Sequence, residues 1–226
     1  MKFWVHIAAA AAVVASAAPA QAAVIGFEDI ATPGSNVNEA SFFGLGIVNS
    51  YQGYEWGYGN SGGWNNRDFV DSVAGWGAST VAMPGTMHVP APAPTGVTGN
   101  VYAWNFFGKQ SLWIDFKGEA NVNAVDVAGL AGGSGWVLNS NSLQLFGYDE
   151  LGNQLFSSAV IPLTTTMQQI NVGFTGISFF ELRADRNLSW FSVDQLDVSP
   201  VPAPATPGLM ALGLLGVATL RRRRKV

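Results

Sequence analysis

The chain has no cysteine. Disulfides are therefore excluded, and so is a zinc site built on thiolates. Histidine is almost as scarce: there are two, His6 and His88, and His6 falls in an apolar leader. A Ser-His-Asp triad or a multi-histidine metal centre has little to be made from. Charged residues are 12% of the chain. Positive charge is the scarcest where it matters. Between residues 23 and 200 stand all 15 acidic residues and only 5 of the 11 basic ones, a net charge of −10. So acidic a segment argues against nucleic acid as a partner and fits soluble surface material or cation binding. Without disulfides it must rely on its core, and ~175 residues can supply one.

The two ends differ from the middle. Met1-Lys2 is followed by an apolar run at 5–18, then by the small-x-small sites Ala18-Pro19-Ala20 and Ala20-Gln21-Ala22. This is a signal-peptide pattern, so residues 1–22 are expected to be removed on export. The C-terminal segment, 200–226, has three parts. Val201-Pro202-Ala203-Pro204-Ala205-Thr206-Pro207 is a proline hinge. The uncharged run 208–220 follows, and Arg221, Arg222, Arg223, Arg224 and Lys225 close the chain. At ~1.5 Å per residue that run is shorter than the ~30 Å hydrocarbon core. The basic block suits a short transmembrane helix with its C-terminus in the cytoplasm.

Residues 23–199 are rich in Gly, Asn, Ser and aromatics and have no helical periodicity. Short β-prone runs separated by turn residues predict strands at 24–30, within 46–58, and at 78–83, 101–107, 111–117, 122–130, 142–148, 153–161, 168–174, 177–184 and 191–198. In 111–117, Leu112, Ile114 and Phe116 share one face, and Ser111, Trp113, Asp115 and Lys117 the other. Gly108-Lys109-Gln110 reads as a hairpin connection, and so does 149–152. The expected fold is all-β, an antiparallel two-sheet sandwich of ten to twelve strands, flanked by a signal helix and a short transmembrane helix.

The Val-Pro-x-Pro-Ala-Thr motif, the Leu/Gly/Ala-rich run and the terminal arginines together resemble the PEP-CTERM sorting signal of Gram-negative bacteria. One position departs: Ala203 stands where that family favours Glu. The resemblance implies export by the Sec machinery, transient inner-membrane anchoring, and cleavage by an exosortase. The destination would be the cell surface or an extracellular polysaccharide matrix. The middle is similar to jelly-roll, galactose-binding-like sandwiches. The residues that carry this are Gly26-Phe27-Glu28-Asp29, Tyr51-Gln52-Gly53-Tyr54-Glu55-Trp56, the run from Phe146 to Asn153, and the run from Phe191 to Val198.

That second resemblance implies a calcium ion joining the first and last strands, with Glu28, Asp29 and Asp194 as ligands. The phase of alternation breaks at Asp194-Gln195, where a bulge is expected. The other reading of these acids is strand-end carboxylates hydrogen-bonded to turn N–H groups. Among the aromatics, Tyr54, Trp56 and Trp64 beside a Gly-rich loop suit stacking on a glycan, with Trp113 a further candidate. The alternative is burial in the core. No catalytic residue is assigned, and the expected role is a non-enzymatic surface or matrix protein that binds glycan. The alternatives are a secreted carbohydrate-active hydrolase and an adhesive or ice-contacting protein displaying Thr164-Thr165-Thr166. Two carboxylates converging in a cleft would favour the hydrolase.

Removing Arg221 to Lys225 is expected to impair anchoring and C-terminal processing. The intact mass of the exported protein reports both cleavage points at once. Unchanged maturation of the shortened chain, in a host that processes the full one, would count against the sorting reading.

Overall fold

Period-two alternation of β-branched and aromatic residues decides the architecture. The structure, a computed structural model, describes residues 22–28, 51–59, 62–68, 76–81, 93–105, 108–129 and 138–201. All of these belong to one compact unit, Gln21–Val201. The signal peptide up to Gln21, the sorting segment from Pro202 onward, Asp29 and His88 lie outside the described residues. No helix among the described residues is long and apolar enough to cross a membrane.

The described residues form twelve strands: β1 (Ala23–Ile25), β2 (Glu55–Gly59), β3 (Arg67–Asp68), β4 (Trp76–Thr80), β5 (Val101–Asn105), β6 (Ser111–Gly129), β7 (Leu138–Asn139), β8 (Ser142–Tyr148), β9 (Gln154–Ser157), β10 (Ile161–Pro162), β11 (Gln168–Ala184) and β12 (Ser189–Pro200). The fold is all-β. The main path of the sheet runs β10-β8-β11-β6-β12-β5-β4. Every strand pairing is antiparallel except β7 on β12.

The expectation was two separate sheets. Hydrogen bonding is instead continuous, because β6 and β11 each take part in two sets of pairings. The first part of β6 pairs with β2 on one side and with residues 179–183 of β11 on the other. Its second part pairs with β12 and with residues 168–177 of β11. The expected strands 111–117 and 122–130 are thus one strand, as are 168–174 and 177–184. The intervening residues bend the strand without ending it. Lys117 lies at φ 58° and Gly118 at φ 159°, while Gly173 and Gly176 lie at 65° and 62°. Register shifts mark the same places. These are bulges, which leave residues unpaired and bend a strand without a turn.

The hairpin expected at residues 108–110 does not form. β5 pairs with β4 and β12, whereas β6 pairs with β2, β11 and β12. Alternation marks a strand's faces but not its partner. The fully buried Asn105 ties the start of this connection to Lys109 and to β12. Its side-chain amide donates to the carbonyls of Lys109 and Ser189, and its carbonyl oxygen accepts from the Phe191 N–H. The β8–β9 hairpin forms as expected, closed by Asp149 N–H donating to Asn153 O at 3.0 Å.

The doubled sheet encloses one main core, consistent with a β-sandwich. Leu112, Ile114 and Phe116 face into it, and Trp113 faces away, as the alternation requires. β2, which branches from the path at β6, and β4, at one end of it, meet through tryptophan. The Trp56 and Trp76 rings lie edge to face at 4.8 Å, and Trp76 Nε1–H donates to Gly57 O at 2.9 Å. Such a ring pair contributes ~0.5–1.5 kcal/mol beyond its area burial.

Trp76→Phe removes that donor from a buried carbonyl and trims the ring. The expected loss is about 2 kcal/mol, with a melting temperature lower by ~4–8 °C. A thermal melt checks this, and an unchanged transition would mean β2 and β4 are held together by something else.

Candidate functional site

The bulge in β6 has a counterpart across the cleft it opens. Between Asp115↔Phe179 and Ala120↔Ile177, β6 contributes residues 116–119 where β11 contributes only Ser178. The extra backbone swings out of the ladder and faces the β8–β9 turn. The resulting cleft has a volume of about 350 Å³, at the small end for ligand pockets. Its walls are Asp115 and residues 117–119 from β6, Asp149, Glu150 and Leu151 from the turn, and Gly176, Ser178 and Phe179 from β11.

The polar groups of this cleft differ in how far they are already engaged. Lys117 reaches Glu55 at 2.5 Å and Asp115 at 3.1 Å, and its main-chain N–H donates to Asp115 Oδ1. The hydrogen bond to Glu55, with Asp115 behind it, holds the ammonium above the ordinary lysine range. These contacts compensate a left-handed conformation that disfavours a non-glycine residue by ~1–2 kcal/mol. Asp149 Oδ1 accepts from the N–H groups of Leu151 and Asn153, and Oδ2 accepts from the Asn153 amide. Those bonds, the Asn153 side chain first, hold its carboxyl below the usual range. Glu119 and Glu150, by contrast, are exposed, and their carboxylates have no hydrogen bond or ion pair among the described residues. Ser178, 6% exposed as a residue, also lines the cleft. Leu151, 83% exposed, forms an apolar lip.

Behind the cleft lies a cluster that makes its walls rigid. Phe179 packs edge to face on Trp64 at 4.6 Å, and Trp64 also contacts Trp113 and Tyr148. Gly152 lies at φ 86°, and a Cβ there would come within 2.1 Å of the Trp64 ring. Only glycine lets the turn sit this close to the indole. The fully buried Glu181 anchors the Trp64 loop. Its carboxylate accepts from Ser111 Oγ (2.6 Å), Tyr148 OH (2.7 Å), Arg183 Nε and Nη2 (2.9 and 2.8 Å) and the Gly63 N–H (3.2 Å). Burial, followed by the nearby Glu181 charge, pushes the Tyr148 hydroxyl well above the ordinary tyrosine range.

The residues expected to bind glycan occupy other roles. Trp56 is a core residue, 1% exposed, with Phe27, Tyr51 and Trp76 around its ring and its N–H donated to Tyr51 O. No face is left for a sugar, so the glycan role for Trp56 is corrected to packing. Trp64 is half-buried, and the Arg67 guanidinium covers its ring at 3.5 Å. It buttresses the cleft and presents no open platform. Tyr54 is half-buried against Phe116 and lines a separate hollow of about 260 Å³ with Glu28 and Tyr51. Trp113 is fully buried. The cleft acids were missed. Their signals were the alternation that fails after Lys117-Gly118 and the Asp149-Glu150-Leu151-Gly152 turn.

Of the calcium candidates, Asp29 lies outside the described residues. Glu28 and Asp194 are brought to one loop, where each accepts N–H groups. Glu28 Oε1 takes those of Asn100 and Val101, and Asp194 Oδ2 takes that of Thr98. Asp194 Oδ1 takes the main-chain and side-chain N–H of Gln195. The expected bulge is there, with Gln195 at φ 35° and the register shifted. Among the described residues no three acids converge on a metal position. N–H donors already point at these oxygens, so the set fits loop anchoring and does not fit a calcium cage. Burial is the main cause that raises the Asp194 carboxyl above its usual range, with Asp126, directly opposite on β6, adding repulsion.

No family model matches the chain, and no curated protein matches it. Solved structures similar to it include a Streptococcus pneumoniae fucose binding module, at 14% identity over 56% of this chain and 90% of that one, TM-score 0.36. CBM32-1 from a family 31 glycoside hydrolase of Clostridium perfringens is 12% identical over 55% and 93%, TM-score 0.32. The family 32 CBM from C. perfringens NanJ, in complex with galactose, is 9% identical over 55% and 92%, TM-score 0.32.

If the loop is anchored by carboxylates and N–H groups alone, chelation has nothing to remove. The melting temperature is expected to be the same with and without EDTA, and a drop on chelation would restore a bound cation, since a ligand of the folded state raises it.

Proposed function

We propose that this chain is an exported, non-enzymatic protein of the cell surface or extracellular matrix whose β-domain binds glycan in the cleft between β6, β11 and the β8–β9 turn. The signal-peptide pattern at 1–22 supports export through the Sec machinery. The tail from Val201 supports transient anchoring and cleavage by an exosortase. The observation that carries the binding reading is the cleft itself. Glu119 and Glu150 are accessible acceptors, and Ser178 adds a hydroxyl-bearing residue to the same wall. Polar groups of this kind at the wall of a sugar-sized hollow, with a rigid aromatic backing, suit a polyhydroxylated ligand.

The hydrolase reading is weaker, although acids do share this cleft. A general acid at neutral pH needs the desolvation that burial supplies. Glu119 and Glu150 are exposed, Asp115 is paired with Lys117, and Asp149 is committed to its own turn. The ice-contacting reading loses its array. Thr166 Oγ1 bonds to Thr95 Oγ1 at 2.9 Å, and Thr164 Oγ1 bonds to Thr166 O.

Glycan-array screening followed by titration tests this reading. The exported protein is expected to bind at least one glycan without releasing reducing ends. The Glu119→Ala/Glu150→Ala variant should melt normally and bind about tenfold more weakly, a loss of ~1.4 kcal/mol. Full binding by that variant would move the site elsewhere, and release of reducing ends would bring back the hydrolase.

A further inference from the structure

We propose that Asp126 and Asp194 share one proton, and that this proton fastens the strap 93–101 over the stacked Trp104–Trp190 pair, closed in mild acid and loosened when both carboxylates are charged. The strap is the end of the proline-rich stretch, and its Ala93 and Val97 pack on the cluster of Tyr102, Trp104 and Trp190. It is pinned at three points. Thr95 N–H donates to Thr165 O, and Met167 N–H donates to Thr95 O. Thr98 N–H donates to Asp194 Oδ2 at 2.7 Å. The N–H groups of Asn100 and Val101 donate to Glu28 Oε1. The middle pin, Asp194, is fully buried.

Asp126 stands directly opposite Asp194 in the β6–β12 ladder. Residues so placed point to the same face with Cβ atoms about 4.5–5.5 Å apart, which brings the two carboxyl groups together. Both oxygens of Asp194 accept N–H groups, from Thr98 and from Gln195, so Asp194 is the anion of the pair. Asp126 Oδ1, by contrast, is buried and has no hydrogen-bond partner among the described residues. Buried polar atoms are ordinarily bonded, and two facing carboxylates resist being charged together. A proton on Asp126 Oδ1 answers both constraints. That O–H can donate to the Asp194 carboxylate, which keeps its bond to Thr98 and is held in place. No cation does this instead: the strap, β1, β5, β12, residues 120–129 of β6 and residues 168–177 of β11 contain neither lysine nor arginine. The other titratable groups on these elements are Tyr102 of β5, Glu28 just past β1, and Asp197 of β12, which accepts from Asn123. Burial is the first cause that raises both carboxyls. The N–H bonds at Asp194 and the Gln169 side chain at Asp126 oppose it, and the Asp126 charge reinforces it at Asp194. An acid raised on folding binds its proton more tightly folded than unfolded. Its contribution is therefore present at acid pH and is lost as pH rises from the ordinary aspartate range through the raised value.

The test follows the carboxyl carbon resonances of Asp126 and Asp194 in the exported protein across a pH series in EDTA, with amide hydrogen exchange of the strap measured at each pH. The pair is expected to titrate in two separated steps, the upper one above the ordinary aspartate value of about 3.9. Below that step, exchange at the N–H groups of Thr95, Thr98 and Met167 is expected to be at least tenfold slower than above it, after correction for the intrinsic pH dependence of exchange. Asp126→Asn puts an amide donor where the proton would sit. It is expected to abolish the upper step and to keep the strap protected at neutral pH. Two carboxyls that titrate independently at the ordinary value would overturn the shared proton. Strap protection that is equal on both sides of the upper step would overturn the latch. A folded Asn variant whose strap still loosens as pH rises would show that another group closes it. An upper step that moves when calcium is added would assign the pair to a cation and overturn the proposal. The two measurements on the parent decide the matter even where the variant does not fold.

Discussion

A continuous antiparallel sheet has to double over its own core, and the whole arrangement depends on how it bends. The two longest strands, β6 with 19 residues and β11 with 17, carry the bend. A ladder with native twist cannot turn that sharply while every residue stays paired, so it breaks at defined residues. Lys117 and Gly118 bend β6, and Gly173 and Gly176 bend β11. The break removes backbone from the ladder and leaves it facing solvent beside the β8–β9 turn. The cleft is therefore a consequence of closing the fold, and its polar lining follows from residues that have left their pairing partners. Lys117, a non-glycine residue in a left-handed conformation, is where the bend and the site coincide.

With no disulfide in the chain, rigidity has to come from packing and buried hydrogen bonds. Two devices supply it. The Trp56–Trp76 contact joins β2 to β4 through ring packing and one hydrogen bond between them. The Glu181 cluster does the same on the opposite face of β6 and β11. A buried carboxylate is a poor source of net stability, because its desolvation offsets much of the attraction. It is well suited to fixing geometry, since five donors from Ser111, Tyr148, Arg183 and Gly63 meet at one group. Trp64 rides on the loop so fixed and supports Phe179 and Gly152. A third aromatic layer, Trp104 stacked on Trp190 at 5.0 Å with Tyr102 beside them, covers the outer face of β5 and β12. Rings thus occupy core and outer faces alike, which is why aromatic content alone was a poor guide to a sugar platform.

Local features were legible from the residues and long-range ones were not. The faces of β6 at 111–117, the β8–β9 hairpin and the bulge at Asp194-Gln195 all follow from period-two alternation and its interruption. Each depends on a few neighbouring residues. The partner of β5 did not follow, because Asn105 is satisfied by Ser189 and Phe191, more than eighty positions away. The same holds for Trp56. Its position beside a Gly-rich loop resembled a binding surface, and its burial is set by Trp76 of β4 and by Phe27, just past the end of β1. Glu28 and Asp194, expected as calcium ligands, are held at one loop by N–H groups. What they hold, the N–H groups of residues 98–101, comes from a proline-rich stretch with no pattern of its own. The cleft acids escaped notice because Asp115, Glu119 and Glu150 are separated along the chain and ordinary in isolation.

The exit of the chain gives the cleft its setting. β12 pairs with β6 as far as Pro200↔Ala120, and the next residue, Val201, donates its N–H to the Glu119 carbonyl at 2.9 Å. The residue that begins the proline motif is thus bonded to the backbone of a cleft glutamate. The proposed binding cleft and the start of the proline motif meet at one residue of β6: Glu119 lines the cleft, and its carbonyl accepts from Val201. Proline at 202 cannot donate the next hydrogen bond, so the ladder has to stop there.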